Sequence, residues 1–597
     1  MSGTILRSGR AAMVAGALAL VSSPLAAAQI SGKIVDEAGN PVPYVRVTVE
    51  GDQMVPTTTT VFSDTTGEFQ TPDLKADYDP ETMAVTTFRI GFEEAERNLE
   101  ADGDDVVLNV TLKTKENVAD QVPASAWYGG EPGDRDLHIA INECGGCHQM
   151  AAERMKVMAE SLAGLSVEEK EQAWRGIVQY MRERALQMGP SDYEGSHLRW
   201  GLTEGSEEYM AAITPDGSFF MPKDEDWSVA YLARKLPDNF DYMTGYNDIE
   251  ELGEYGVTKD TVIEEYSLPT FGWTREVSVA PGSPYVWFVE LDKDRLGRLD
   301  PTDGSVKWVD VPGEGPQGPH TLNADADGNL WAALEESYSI GRYNPKTDKW
   351  DIFPPPEGVK FAITHDTAFD SNRHVVADEE GRIWLTLVGL NELWSVDLET
   401  KEVERHPLPL PEDETKFHAF VYGSIIEPDK SHIWWTQLHG FLGSFNIKEG
   451  YVDRIIPFPY GAAPRRMAIE PNGTLWVPLY GDGQLVKVDT EKGKILATYD
   501  MPDRKGASYS ITWDPGREVV WVGTTNSDRV YRFDPKTERW THYPLPRAEA
   551  FLRMIELDHE TGDLWTSYSN FPIGPRDPEI YGRADANNMV VRIHPGD

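Results

Sequence analysis

Cysteine is almost missing from this chain. It occurs twice in 597 residues, at Cys144 and Cys147, so no disulfide framework holds the fold together. Long apolar runs are missing as well. Beyond the first residues none reaches the ~20 needed to cross a bilayer, which argues against a transmembrane segment. Basic residues are scarce: 55 Lys plus Arg face 99 Asp plus Glu, a formal net charge of -44. Such a chain repels phosphate backbones, which argues against nucleic acid as a partner. The same charge favours solubility and draws cationic partners, including basic electron carriers.

What the chain has in quantity is tryptophan, glycine and proline, with 18, 52 and 41 copies. That mixture points to a turn-rich, mainly β protein with aromatic cores. The length predicts several domains of ~100–200 residues each. Residues 1–28 read as a signal peptide: Arg7 and Arg10 precede an apolar run, Pro24 breaks it, and Ala26-Ala27-Ala28 offers a small-residue cleavage site. The mature chain is then expected to begin near Gln29 and to be periplasmic or secreted.

The two cysteines are separated by a glycine pair, and His148 follows at once. C-x-x-C-H is the attachment signature for c-type haem. Both thiols add across the haem vinyl groups, and the imidazole binds the iron as proximal ligand. The alternative is a small-loop disulfide or redox pair beside an unrelated histidine. The export signal favours haem, so Cys144, Cys147 and His148 are the expected cofactor-binding residues.

Three further regions differ in pattern. Residues 29–115 alternate as short strands, as in Tyr44-Val-Arg-Val-Thr-Val, and form an expected β-sandwich. The phrase Gly32-Lys-Ile-Val-Asp-Glu-Ala-Gly-Asn-Pro-Val, with the later turn Asp64-Thr-Thr-Gly-Glu-Phe, resembles carboxypeptidase regulatory-like domains. That resemblance implies a docking or spacer module. Residues 125–245 turn to helix formers. Helices are expected over 137–163, 167–188 and 224–236, with Pro190 and Pro237 as stops. A C-x-x-C-H near the first helix, a long loop and a last helix with Ala230-Tyr-Leu-Ala resembles class I cytochromes c. The resemblance implies a methionine as sixth iron ligand. Met221 holds the loop position before the last helix, Met181 is its rival, and Met188 and His197 are weaker candidates. An open sixth site is the remaining alternative.

Residues 262–597 repeat. An acidic turn with glycine, an apolar residue and a tryptophan recur at Trp287, Trp331, Trp384, Trp434, Trp476, Trp521 and Trp565, spaced 42 to 53 residues apart. That is the length of a four-stranded blade, and seven repeats predict a seven-bladed β-propeller. The last repeat stops after its third strand, Val590-Val-Arg-Ile-His-Pro. Val262-Ile-Glu-Glu-Tyr-Ser-Leu-Pro supplies the missing fourth-strand phrase, so an N-terminal strand is expected to close the ring. Asp327-Gly-Asn-Leu-Trp followed by Ile340-Gly-Arg resembles the virginiamycin B lyase family. The resemblance implies a streptogramin-lyase-like propeller and, in members with that activity, elimination at a magnesium and histidine/glutamate site. It does not transfer residue by residue, so the catalytic residues are left unknown. A divalent metal in the propeller is carried as a candidate cofactor.

Aligning the repeats on the acidic turn and stepping back five residues gives Arg275, His320, Arg373, Tyr422, Arg465, Tyr509 and Arg553. These begin the innermost strands, where every blade faces the axis. None is apolar. Arginine's planar fork suits carboxylate, phosphate or sulfate oxygens, so the ring is the expected binding site for a small anionic substrate. The alternative is internal pairing with acids such as Glu335. His365-Asp366, His374, His418 and His439 lie nearby and read as structural. A single ring histidine argues against a multi-copper propeller, and seven blades argue against the quinone-cofactor propellers.

The sequence thus predicts a three-part exported protein: β-sandwich, all-α cytochrome c domain and seven-bladed propeller. The leading functional expectation is redox, with substrate or a redox partner protein at the propeller and electrons passing through the fused haem. The alternatives are a propeller lyase or hydrolase with an accessory cytochrome, and a non-catalytic electron-transfer or binding protein.

Overall fold

The computed structural model describes residues 29–51, 54–74, 83–98, 105–145, 149, 153–187, 222–269, 273–359, 363–412, 419–568 and 588–596. Cys147, His148, Met188, His197, His418 and Met221 lie outside the described residues, as does the side chain of Met181. The chain is mainly β, with an N-terminal β region, a group of helices and a C-terminal propeller.

The N-terminal strands make two sheets. Gln29–Asp36, Glu68–Gln70, Asp105–Val107 and Val110–Leu112 form one, and Arg46–Gly51, Thr58–Phe62, Met83–Phe88 and Ala95–Asn98 form the other. Alternation in Val45-Arg-Val-Thr-Val turns Val45, Val47 and Val49 inward, where they pack with Ile30, Ile34 and Val85.

Seven four-stranded blades compose the propeller, and blade six carries Glu254–Tyr255 as a fifth, parallel strand on its outer edge. Blades one to six each use four consecutive strands. The seventh takes Glu556–Leu557, Leu564–Ser567 and Met589–His594 from the end of the chain, and Val262–Ser267 from the start of the propeller. Six residue pairs, from Val262↔His594 to Ser267↔Met589, close the ring. The closing strand has a second neighbour: its other edge pairs with Thr58–Phe62 of the N-terminal region. Blade seven and the sandwich therefore share one eight-stranded sheet, which leaves no free edge at the closure.

The recurring acidic turn has a physical reason. In blade two Asp325 accepts from the turn amides of Asp327 and Asn329, at 3.0 and 2.9 Å, and from the Trp331 indole at 3.0 Å. Asp378, Glu427, Glu470 and Asp514 likewise accept from Trp384, Trp434, Trp476 and Trp521. Each turn thus satisfies a buried indole while fixing its own backbone.

The helices are α1 (Arg135–Glu143), α2 (Glu153–Ser161), α3 (Val167–Gln187), α4 (Pro222–Lys235) and α5 (Asp248–Leu252). One helix expected over 137–163 is instead two. Cys144 caps α1, and the glycine pair that follows it in sequence opposes continuation. Helix α4 packs on α1 and α3 around Leu137, Ile141, Trp174, Val178, Val229 and Leu232. Among the described residues no helix is long and apolar enough to cross a membrane.

Candidate functional site: an axial cluster capped by the C-x-x-C-H helix

Strand register identifies the axial positions. In each blade the innermost strand pairs with the residue three places beyond the blade's tryptophan, as in Thr274↔Glu290, Pro319↔Leu334, Thr364↔Leu387 and Val421↔Gln437. Ser508↔Thr524 and the bridges Pro464↔Leu479 and Leu552↔Tyr568 complete the series. The next residue in each blade is Arg275, His320, His365, Tyr422, Arg465, Tyr509 and Arg553. Six of these match the expected ring.

Blade three corrects the seventh. Its innermost strand is Ile363–Thr367, and the segment before its acidic turn is longer than in blade two. A fixed five-residue offset therefore lands on Arg373, in a turn with φ +61°. His365, read from sequence as structural, takes the axial place. Arg373 still reaches the interior. Its Nε donates to Glu556 at 2.7 Å and its Nη2 to Asn323 at 3.1 Å.

The axial residues touch one another around the ring. The His320 and His365 rings lie 4.6 Å apart, and His365 and Tyr422 4.1 Å apart. The Tyr422 and Tyr509 hydroxyls share a short hydrogen bond. Arg553 donates to the Tyr509 hydroxyl at 3.2 Å. The Arg465 guanidinium lies over Tyr480, Tyr422 and Tyr509, at 4.2, 5.0 and 5.2 Å from their centroids. All seven residues are buried. Below them Arg466 is paired with Glu276, so that layer is partly neutralised.

Burial sets the charges. It holds His320 and His365 well below the ordinary imidazole range, and neighbouring guanidiniums push the same way. Both rings are neutral. Burial raises Glu335 to about 8, against the opposing pull of Arg275. For Tyr509 burial acts upward, but Arg553, Arg275, Arg465 and Arg466 outweigh it and lower the phenol. Tyr422 moves up, through burial and then its Tyr509 neighbour.

Arg275 is 7% exposed and has no hydrogen bond or ion pair with any described residue. The axial layer therefore carries uncompensated positive charge inside a strongly acidic chain. Such a layer favours an oxyanion over a cation. A second chemistry is also present. Ligand atoms of His320, Glu335 and His365 all lie within 4.8 Å of one another, with His320 Nε2 3.3 Å from Glu335. Two neutral imidazoles and a carboxyl suit a divalent transition metal, but Arg275 and Arg466 oppose a bare cation there.

Helix α1 covers this cluster. Asn142 Oδ1 accepts from Arg465 Nη2 at 3.0 Å, and Glu143 lies 3.1 Å from His439 Nε2. The Tyr480 hydroxyl donates to the Gly145 carbonyl at 2.6 Å. His138 Nδ1 meets Asp482 at 2.5 Å. Two propeller glycines make room for the helix. A Cβ at Gly461 would stand 2.8 Å from Ile139, and one at Gly481 would stand 1.9 Å from the Gly461 carbonyl. Leu137, Ala140 and Ile141 share one apolar core with Tyr422, Tyr480 and Tyr509. The sequence offered no sign of this docking, because each contact joins residues hundreds of positions apart.

Cys144 is half-buried at the helix end and packs on the Trp174–Tyr231 core. On the facing side of α4 the Ser228 and Tyr231 hydroxyls are buried and find no partner among the described residues. Burial raises the Tyr231 phenol, with Asp134 and Cys144 adding to the shift. The second thiol, the proximal imidazole and the candidate sixth ligands lie outside the described residues.

Comparison with known proteins gives one family match: residues 29–113 match the carboxypeptidase regulatory-like domain. No curated protein matches the chain. Among solved structures, a streptogramin B lyase is similar at 16% identity and a TM-score of 0.46, covering 56% of this chain and 97% of that one. Virginiamycin B lyase from Staphylococcus aureus gives 15%, 0.45, 56% and 99%. The Cps50 (Swd1) β-propeller domain of Myceliophteria thermophila gives 11%, 0.43, 55% and 99%. These identities say nothing about activity, and the seven-bladed topology stands on the strand pairing itself.

Proposed function

We propose that the chain is an exported c-type haem protein in which the propeller binds a small oxyanion-bearing substrate on its axis and the fused helical region, a class I cytochrome c-like domain, transfers electrons. The observation that carries this reading is the docking of the C-x-x-C-H segment onto the axial cluster, through Asn142–Arg465 and Gly145–Tyr480. A tethered pair of modules gains effective concentration for short-range exchange. Direct contact between the motif and the binding cluster is what such an exchange requires.

Cys144, Cys147 and His148 would hold the haem, which supplies one-electron transfer when bound. The chain's own residues do the rest. Arg275, Arg465 and Arg553 bind and orient an oxyanion. Tyr509, lowered by its guanidinium neighbours, holds or takes a proton shared with Tyr422. The α1 cover excludes water from that end of the channel.

The test is direct. Protein exported by a host with haem-maturation machinery should carry one covalent haem per chain that survives denaturation and is lost when Cys144 and Cys147 are both changed to Ala. Absence of covalent haem in the wild-type chain overturns the reading. A spectrum that shifts with carbon monoxide identifies an open iron, and one that does not identifies a closed iron with a sixth ligand such as Met221 or Met181.

A second reading is favoured by the His320–Glu335–His365 grouping. It makes the propeller a metal-dependent lyase or hydrolase with an accessory cytochrome. Turnover that needs a divalent metal, is lost in His365→Ala and ignores haem redox state would establish it in place of the first.

A further inference from the structure

The N-terminal sandwich and the propeller enclose a second arginine cluster, remote in sequence from the axial ring. Arg46 and Arg89 come from the sandwich, and Arg529 and Arg547 from blade six and the segment after it. They line a cavity of about 110 Å³ together with Phe88 and the Tyr44–Tyr255 pair. The two tyrosine rings are stacked, 4.8 Å apart and within 7° of parallel. Arg89 lies over both, 5.8 and 5.7 Å from their centroids. Arg46 lies 4.3 Å over Phe88.

Two of the four cations have no ion-pair partner of their own; Glu265 reaches Arg46 only through its charge and is held by Arg547. Arg547 is committed to Glu265, at 3.0 Å. Arg89 has Asp248 at 3.8 Å. Arg46 and Arg529 make no ion pair with any described residue. Their described hydrogen bonds go to backbone carbonyls, of Leu545 and Ser527. Arg529 is 6% exposed, and its Nε has no partner. The acids in the wall are used elsewhere. Asp120 pairs with Lys115 at 2.7 Å. Asp528 accepts from Gln149 and from the Glu549 and Ala550 amides, and burial raises its carboxyl toward the neutral acid. Burial, then the charge of Arg529, pulls Arg46 down to about 10. Two guanidiniums, one half-buried and one buried, facing one cavity repel each other unless an anion sits between them.

We infer that this junction is a binding site for a small, multiply charged oxyanion, gripped by Arg46 from the sandwich and Arg529 from the propeller. Its chemistry is shared by inorganic phosphate and by small dicarboxylates. The cavity is smaller than the ~150 Å³ that accommodates benzene in an engineered core, so the part of a ligand it holds is small. A bound anion would tie the sandwich to blade six, on the far side of the sheet from the pairing at the ring closure. This gives the N-terminal module a ligand role in addition to its structural one.

Calorimetric titration of the full chain with inorganic phosphate, and separately with malonate, tests the site. One or both should bind wild-type protein, and the pair distinguishes an inorganic from an organic ligand. The titrations are repeated in an Arg275→Gln background, so that the axial cluster does not contribute, and there affinity should fall roughly tenfold or more on adding Arg46→Gln or Arg529→Gln. The same anion should raise the unfolding temperature in that background and leave it unchanged once Arg46→Gln is added. If neither anion binds wild-type protein, the inference fails. It fails equally if, in the Arg275→Gln background, affinity survives Arg46→Gln, or if Arg275→Gln alone abolishes binding. Arg46 is only partly buried, so its variant decides the matter even if Arg529→Gln does not fold.

Discussion

The Tyr480 hydroxyl donates to the carbonyl of Gly145 across 2.6 Å, joining blade five to the peptide between the two motif cysteines. The same hydroxyl lies 2.9 Å from Thr525 Oγ1 in blade six. One phenol thus ties the C-x-x-C-H segment to two blades, with Arg465 on its ring.

Tyr480→Phe keeps the packing and removes these bonds. A cost of about 1–3 kcal/mol is expected, the range for a lost bond plus a buried carbonyl left unsatisfied. Hydrogen exchange should speed up in α1 and stay unchanged in blades two and three. Equal changes throughout would show that the contact does not anchor the helix.

Asn142 and Arg465 should be coupled. A double-mutant cycle with Asn142→Ala and Arg465→Gln is expected to give an interaction of ~0.5–3 kcal/mol. Additive effects on unfolding would mean that helix and cluster are energetically independent.

Stability should fall on mild acidification. His320, His365 and His542 are held well below the ordinary imidazole value by burial. The unfolded chain therefore binds more protons than the folded one below about pH 6.5. Stability is present above that value and is lost as pH falls through it, by up to ~1.4 kcal/mol per unit for each histidine. Glu335 acts oppositely. Its raised carboxyl keeps a proton in the folded state, so it subtracts stability as pH rises from the ordinary carboxyl range toward 8. Denaturant midpoints at pH 5.5 and 7 should differ in the wild type and differ less in His365→Gln.

Ring closure depends on the strand Val262–Ser267, which lies between blade seven and the sandwich. Ile263 is fully buried there. Ile263→Ala should cost ~2–5 kcal/mol, as for other large-to-small core changes, and should lower the unfolding transitions of both the sandwich and the propeller. Loss confined to one of them would show that the shared sheet does not couple them.

Most of the propeller was legible because its signals are local. Trp331 and Asp325 are six residues apart, and their hydrogen bond recurs wherever the phrase recurs. The closing strand was legible because its phrase was out of place. Arg275, His320, Tyr422, Arg465, Tyr509 and Arg553 followed from register. His365 did not, since only strand pairing shows that the extra residues of blade three fall between its innermost strand and its acidic turn. The glycine pair beside Cys144 is a local stop signal, and α1 ends there rather than running through the stretch expected as one helix. The docking of α1, the unpaired Arg275 and the arginine cluster at the sandwich junction are tertiary facts. No sequence period encodes them.

In protein loaded with the proposed haem, spectroelectrochemical titration of the wild type and of Arg465→Gln tests most directly whether motif and cluster work as one site. A nearby positive charge disfavours the oxidised iron, so removing it should lower the midpoint potential, by roughly tens of millivolts at an effective dielectric near 20. An unchanged midpoint in a folded, haem-loaded variant would contradict the coupling on which the proposed function rests.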